Sequence, residues 1–488
     1  MQRISKISII LICIIFIFIL SSCSLIFDAD YYRSTFADTS HIEKSGKDRS
    51  YGQRRKNFGD IQNAKNIHNV LVVLIEFDDV KLKTDALDWY EQIFQRGANS
   101  VNDYYAEMSN NLFSFVPARE NHGIIDDGIV EVSLGLDHPG DSDNDLEAFI
   151  AVFSALEAAD EYVDFASFDA NNDGVIACHE LHIICVLAGY EGDPELEDGP
   201  CVSSYFSWLS DDLYKFTLDN KMLNTFIYTG ELYFDELNTG RDSIATISII
   251  CHELGHSLGL PDLYDTDESS LGVGVHSLMG SGTAALREGE LIGETPVPLD
   301  PWSMIFLGFI EPTVVTQSGE YKVYSASTGK YNILKIPTPN PNEYYLIENR
   351  QLEGYYRALE KEIKGGGVAI WHIDESVIND SIVDEYGTKM VDGLINDDES
   401  RKGVALIEAS MSDLGYSQLD DLEPGMDLNE EIYNNYDHYF YLGGNNVFGP
   451  DTTPSSTLND GSPSNITVIV GSSGPVMDVK VKLGQPNK

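Results

Sequence analysis

Positive charge is what this chain has least of. Its 488 residues carry 31 Lys and Arg against 79 Asp and Glu, a formal net charge of −48. A surface so acidic repels phosphates, which argues against nucleic acid as a partner. Surplus carboxylates suit a soluble surface that recruits divalent cations. Long apolar runs are also scarce. The longest, Ile9–Leu20, falls short of the ~20 residues a spanning helix needs, so the chain is not threaded through a membrane. Cysteine is sparse as well, at six residues. Cys178, Cys185, Cys201 and Cys251 lie in the body of the chain. They allow two disulfides in any of three pairings or, since three of them sit in apolar surroundings, small buried thiols.

What is present begins with the leader. Arg3 and Lys6 precede the apolar run, and Leu20-Ser21-Ser22-Cys23 follows it. That order reads as a signal peptide over 1–22 ending in a bacterial lipobox, with Cys23 diacylated. The mature protein is then expected at the extracytoplasmic face of a membrane, held by its lipid. Residues 23–65 form the tether. The stretch HIEKSGKDRSYGQRRKNFG within it is basic and poor in apolar residues, so it reads as flexible.

From Asn69 the character changes. NVLVVLIEFDD and HIICVLAGYEG read as buried strands, LDWYEQIFQ, SVNDYYAEMSN and EAFIAVFSALEAADEYV as helices, and LFSFVPARE as a strand. Beyond about Pro312 helical patterns fade. GEYKVYSAS, EYYLIENR, GGGVAIWHIDES, GVALIEAS, NITVIVGSS and VMDVKVKL are β-like and separated by Gly, Asn, Asp and Pro. The expected organisation is a domain over 66–315 and a β-rich region over 316–488, with a weaker boundary near 430.

Two stretches, CHELH at 178–182 and CHELGH at 251–256, differ by one inserted glycine. Around the second, Ile244, Ile247, Ile250, Leu254 and Leu258 recur at helical spacing, and Asp242 is the expected N-cap. His252 and His256, four apart, share one face and can converge on one ion. Glu253 stands ~100° around the helix, placed to meet water without ligating. Gly259 lets the chain leave by a left-handed turn, which brings Asp262 in as third ligand. Two histidines and a carboxylate leave a fourth position open, the pattern of catalytic zinc. The first stretch lacks such a turn. Ahead of it, Asp169, Asn171, Asp173, Gly174, Val175 and Glu180 match D-x-N-x-D-G-x5-E, the oxygen-ligand spacing of a calcium loop. A strand-like segment follows where an EF-hand has its exiting helix, which weakens Glu180 as a ligand. A metal-free Asx-rich turn is the competing reading.

HELGHSLGLPDLYD, HSLMGSG at 276–282 and PWSMIFLGFI at 301–310 together resemble the immune inhibitor A family of bacterial metzincin-type zinc metalloproteases. Weaker similarities run over roughly 66–485. The resemblance implies an α+β fold, a metzincin-like catalytic domain followed by a sandwich-like C-terminal region, with Met279 as an apolar Met-turn floor beneath the metal. His276-Ser277 stands where relatives often carry Trp-Asp, and His276 reads as structural or as a hydrogen-bonding neighbour of the site. The pairs Glu348/Arg350 and His372/Asp374 each lie on one strand face, as an accessory site or as a buried network. The implied activity is zinc-dependent endopeptidase action on proteins or peptides, with Glu253 as general base; Tyr264 is a candidate oxyanion donor only by its place two residues after Asp262. Two other readings compete: an inactive surface-binding lipoprotein on a protease scaffold, and a zinc hydrolase of non-peptide bonds.

Overall fold

The computed structural model describes residues 67–97, 99–140, 145–192, 199–209, 216–234, 242–267, 269–285, 287, 289–381, 395–420 and 437–484. The leader, Cys23, the tether and the weaker boundary near 430 lie outside the described residues. Among the described residues no helix is long and apolar enough to cross a membrane. The chain forms two compact units, Met1–Gly259 and Leu260–Lys488.

In the first unit the elements are, in order, β1 (Ile67–Glu76), α1 (Ala86–Ile93), α2 (Val101–Met108), β2 (Ser114–Pro117), β3 (Ile129–Ser133), α3 (Asp145–Ala159), β4 (Val175–Ile176), β5 (His182–Glu191), β6 (Cys201–Val202), β7 (Tyr205–Trp208), β8 (Thr217–Leu218), β9 (Lys221–Leu223), β10 (Thr225–Phe234), β11 (Asp242–Ile244) and α4 (Ile247–Ser257). An eight-stranded sheet is ordered β11-β10-β5-β1-β2, with β3, β6 and β7 paired alongside. Its centre is parallel, β1 with β5 and β5 with β10. Parallel strands covered on both faces need continuous apolar sequence, and Val70–Ile75 is buried at every position. Leu71, Val73 and Ile75 join Ile183, Cys185 and the apolar residues of α3 in one core. The opposite face carries His68 and His182, since alternate residues along a strand point to opposite sides. Helix starts are capped as sequence chemistry demands: Asp85 forms a capping box with Asp88 at α1, and Ser100 accepts from the Asp103 N–H at α2.

The second unit holds α5 (Pro301–Phe306), β12 (Thr313–Val314), β13 (Gly319–Tyr324), β14 (Leu334–Pro337), β15 (Glu343–Arg350), β16 (Gly367–Asp374), α6 (Glu375–Ser381), β17 (Val404–Ile407), α7 (Met411–Leu414), β18 (Val447–Phe448), β19 (Ile466–Val470) and β20 (Val476–Leu483). Its strands form two sheets, β12-β14-β15-β16-β17 and β13-β20-β19-β18. Both contribute to one apolar cluster that includes Ile336, Tyr345, Ile370, Val468 and Val479. The mixed α and β composition and the β-rich C-terminal part agree with the expected class.

The division after Gly259 falls well ahead of the compositional boundary near 315. Residues 260–300 have few regular elements, and besides their internal hydrogen bonds several reach the C-terminal β region. The Leu271 N–H reaches the Leu419 carbonyl, the Asn396 amide reaches the Leu263 carbonyl, and Lys402 reaches the Gly272 carbonyl. One local expectation is corrected. Asp242 does not cap α4: it lies in β11 opposite Phe234, and its carboxylate accepts from Lys83 and Tyr190. The cap is Thr246, which makes no side-chain cap bond. Strand pairing and a cationic partner outweigh local capping preference.

Candidate metal centre

α4 places His252 and His256 one turn apart, and both are buried. Their Nε2 atoms lie 3.1 Å apart with the rings nearly perpendicular, at 88°. Two nitrogens each ~2.05 Å from a tetrahedral zinc ion stand ~3.3 Å from one another, so the pair fits a shared ion of that size. The helix ends at Ser257 with Leu258 as its C-cap, and Gly259 follows at φ 97°, the left-handed conformation that glycine adopts most readily. A few residues further along the same continuous chain comes the fully buried Asp262. Ligand atoms of His252, His256 and Asp262 all lie within 4.8 Å of one another. Two imidazoles and a carboxylate, converging and buried, are the donor set that zinc accepts. Glu253 is buried beside them, 6% exposed.

Both histidines sit next to residues pinned from outside the helix. The Tyr105 hydroxyl of α2 donates to the Cys251 carbonyl at 2.5 Å, and burial holds that phenol well above its usual range. Ser257 Oγ lies 2.7 Å from His182 Nδ1. After the turn, the Leu263 N–H donates to the Met279 carbonyl at 2.7 Å, and the Met279 side chain is completely buried. Gly272 is required beside this turn: at φ +59° a Cβ there would come within 2.2 Å of the Leu263 carbonyl oxygen.

The expected calcium loop is an ordered turn closed by its own groups. Asp169 accepts from the Asp173 and Gly174 N–H groups. Glu180 accepts from Ala170, Asn171 and Ala177, so it holds the loop's backbone together. Gly174 takes φ 91°, as the sharp turn demands. Val175 pairs with Met222 of β9. The Lys221 ammonium sits 2.5 Å from Asp169, and with the backbone N–H groups it outweighs burial and lowers that carboxyl.

The four body cysteines are buried thiols with no disulfide between them, and burial pushes the Cys178 thiol up to about 12. The strand-face pairs form a buried network. Arg350 contacts Glu348 at 2.6 Å with both side chains buried, and Glu348 also accepts from Tyr331, Tyr356 and Trp371. His372 bonds Glu343 at 2.9 Å, and Asp374 accepts from Arg401 and Asn459. His276 belongs to the same unit's interior, 3.0 Å from the Tyr439 hydroxyl, with Arg350 donating to its carbonyl. Burial, the nearby His438 and the Arg350 charge hold its imidazole neutral. Tyr264 is buried.

Sequence reading did not single out His68, His182, Ser257 or Tyr105, because only tertiary packing brings residues so far apart together. It also passed over the group Asp265, Asp267 and Asp397. There Asp265 accepts from Asp267 and Ser269, and Asp397 from Thr266.

Residues 227–308 match the family model described as immune inhibitor A peptidase M6, catalytic domain. That stretch runs from within β10 through α4 and the Met279 loop to just beyond α5. No curated protein matches the chain. Among solved structures the chain is similar to wild-type OgpA from Akkermansia muciniphila in two crystal forms. One is 14% identical with a TM-score of 0.28, covering 63% of this chain and 90% of that chain. The other is 11% identical with a TM-score of 0.27, covering 72% and 94%. Likeness at that level settles neither fold nor activity.

Proposed function

We propose that this chain is a zinc-dependent endopeptidase of the extracytoplasmic membrane face, with His252, His256 and Asp262 as ligands and Glu253 as general base. The observation that supports it most directly is the convergence of those three ligands, within 4.8 Å, inside a segment that matches a peptidase catalytic domain. Bound zinc would supply a Lewis acid that polarises water and the scissile carbonyl. The chain's own part is to hold and move the proton. Glu253 follows a ligand on α4, so its carboxylate takes the proton from the attacking water and returns it to the leaving amine. Burial of all four side chains keeps bulk water out and strengthens every charge interaction at the site. His252 and His256 would each offer Nε2 to the metal.

An inactive binding protein on this scaffold would normally have lost a ligand or Glu253, and all four are present. A hydrolase of non-peptide bonds is disfavoured by the peptidase match. Hydrolysis of casein or azocoll, measured with and without a zinc chelator, tests the reading. Chelator-sensitive proteolysis supports it; zinc-loaded protein that cleaves neither substrate counts against it.

Two subordinate proposals complete the picture. Calcium binds Asp169, Asn171 and Asp173 after displacing Lys221, supported by the D-x-N-x-D-G-x5-E spacing and the Gly174 turn. The lipobox cysteine Cys23 carries the anchor, and two acyl chains suffice for stable attachment where one does not. A palmitate analogue fed to cells should label the wild-type protein, and absence of label removes the anchor.

A further inference from the structure

A metal ligand in the last turn of a short helix is poorly fixed by the helix itself. Helix ends fray. In α4 the last turn is closed by the Leu258 N–H on the Leu254 carbonyl and the Gly259 N–H on the His256 carbonyl, which leaves the aim of the side chain to contacts from outside. His256 is the penultimate residue of α4, yet a ligand has to be held within about half an ångström of its working position. Ser257, the final residue, is buried and points its hydroxyl at the sheet. Its Oγ lies 2.7 Å from Nδ1 of His182 on β5, and Nε2 of His182 lies 2.9 Å from Nδ1 of His68 on β1. The two strands are paired next to these residues, with Val70 opposite His182. The two imidazoles stack at 16° with centroids 5.2 Å apart. Phe113 packs edge-on against His68 and Phe115 against His182.

Both ring nitrogens of His182 are thereby engaged and its rotamer is fixed. Complete burial, with His68 and His179 nearby, holds the ring neutral. It therefore donates at one nitrogen and accepts at the other. A second contact acts at mid-helix, where the Tyr105 hydroxyl donates to the Cys251 carbonyl beside His252.

We propose that His182, braced by His68, is a positioning residue of the metal centre: through Ser257 it fixes the last turn of α4 and hence the aim of His256. This rests on reading His252, His256 and Asp262 as a zinc site. It identifies the two central strands as the support against which the second ligand is set. Partners of this kind, one step removed from the ligands, change metal affinity by ~10–100-fold when lost.

The test uses the protein with zinc alone. The zinc dissociation rate is followed with a chromogenic chelator, and thermal melts are taken with and without zinc for wild type, Ser257→Ala, Ser257→Thr and His182→Asn. Loss of the hydroxyl in Ser257→Ala should speed zinc release ~10-fold or more and shrink the zinc-induced rise in Tm. Ser257→Thr, which keeps a hydroxyl, should restore both. His182→Asn, whose amide reaches the Nδ1 position but not His68, should fall between. If the Ala and Asn variants melt lower by the same amount with and without zinc, and release zinc at the wild-type rate, the contacts are merely structural and the proposal is overturned. Wild-type protein that takes up no zinc overturns the reading of the metal site itself, and this proposal with it.

Discussion

Replacing Arg350 by Met removes the charge at the middle of the second unit's buried network while keeping an unbranched apolar stem that reaches about as far as Nε. The guanidinium is 1% exposed. Its Nε contacts Glu348 at 2.6 Å, its Nη1 donates to the His276 carbonyl and lies 3.5 Å from the Tyr439 hydroxyl, and its Nη2 lies 3.4 Å from the Leu299 carbonyl. Its positive face rests 5.1 Å from the Trp371 ring and 5.2 Å from that of Tyr356. After Arg350→Met, the fully buried Glu348 keeps three neutral donors, Tyr331, Tyr356 and Trp371, and loses its countercharge. Stranding one member of a buried ion pair costs about 3–5 kcal/mol, an opening constant raised by roughly 10²–10³·⁵. Hydrogen exchange of the 343–350 and 367–374 strands reads that change locally. Adding Glu348→Gln, which removes the stranded charge but keeps an acceptor, should recover most of the loss. A drop below ~1 kcal/mol for Arg350→Met, or a double variant as weak as the two single effects summed, would falsify the claim that the pair is held together by charge in a dry interior.

Three further outcomes are expected. Asp262→Ala should lower zinc affinity by more than ~100-fold, since two imidazoles make an incomplete site; full occupancy after dialysis against a mild chelator means the third ligand is another residue. Calcium should raise Tm in proportion to RT ln(1 + [Ca]/Kd), and Asp173→Ala should flatten that rise, so an unchanged slope in the melt titration rejects the loop as a calcium site. His138 supplies an acid-linked loss of stability. Burial lowers its pKa to about 4, and Nδ1 accepts the Gly140 N–H, which only the neutral ring can do. Above ~6.5 the ring is neutral in both folded and unfolded chain. As pH falls from there towards 4 the unfolded chain gains a proton that the native chain refuses, so stability drops, by on the order of 2 kcal/mol after allowance for solvent screening. His138→Asn keeps an acceptor and cannot titrate. The wild type's advantage over this variant in denaturant titrations should shrink by that amount between pH 7 and 4, and a gap that does not vary with pH contradicts the assignment.

The candidate metal site could be proposed from sequence because its pattern is local. Two histidines one turn apart, a glycine that takes φ 97° and a carboxylate shortly after it depend on helix geometry and one turn. β1 was legible for a similar reason, since a strand buried on both faces has to be apolar throughout. What sequence could not show is whatever depends on distant pairing. Asp242 has the chemistry of an N-cap, but its partners are Lys83, Tyr190 and the β10 edge. The same limit hides His182, whose neighbours His68 and Ser257 lie 114 and 75 positions away. The compact division after Gly259 was hidden too, because residues 260–300 owe their order to hydrogen bonds with residues near 350, 396, 402 and 419. Lys221 is a parallel case at the loop proposed for calcium: it is invisible in the twelve-residue pattern, yet it lies directly on Asp169.

Zinc content and peptide turnover measured together on wild type and Glu253→Gln test the central claim most directly. On the proposed reading Glu253 lies beside the ligands without being one of them. The variant should therefore hold one zinc per chain as the wild type does, while turnover falls by at least ~100-fold, the low end for loss of a general acid–base. A variant that loses its zinc would make Glu253 a ligand. One that keeps both zinc and turnover would place the proton transfer on another residue.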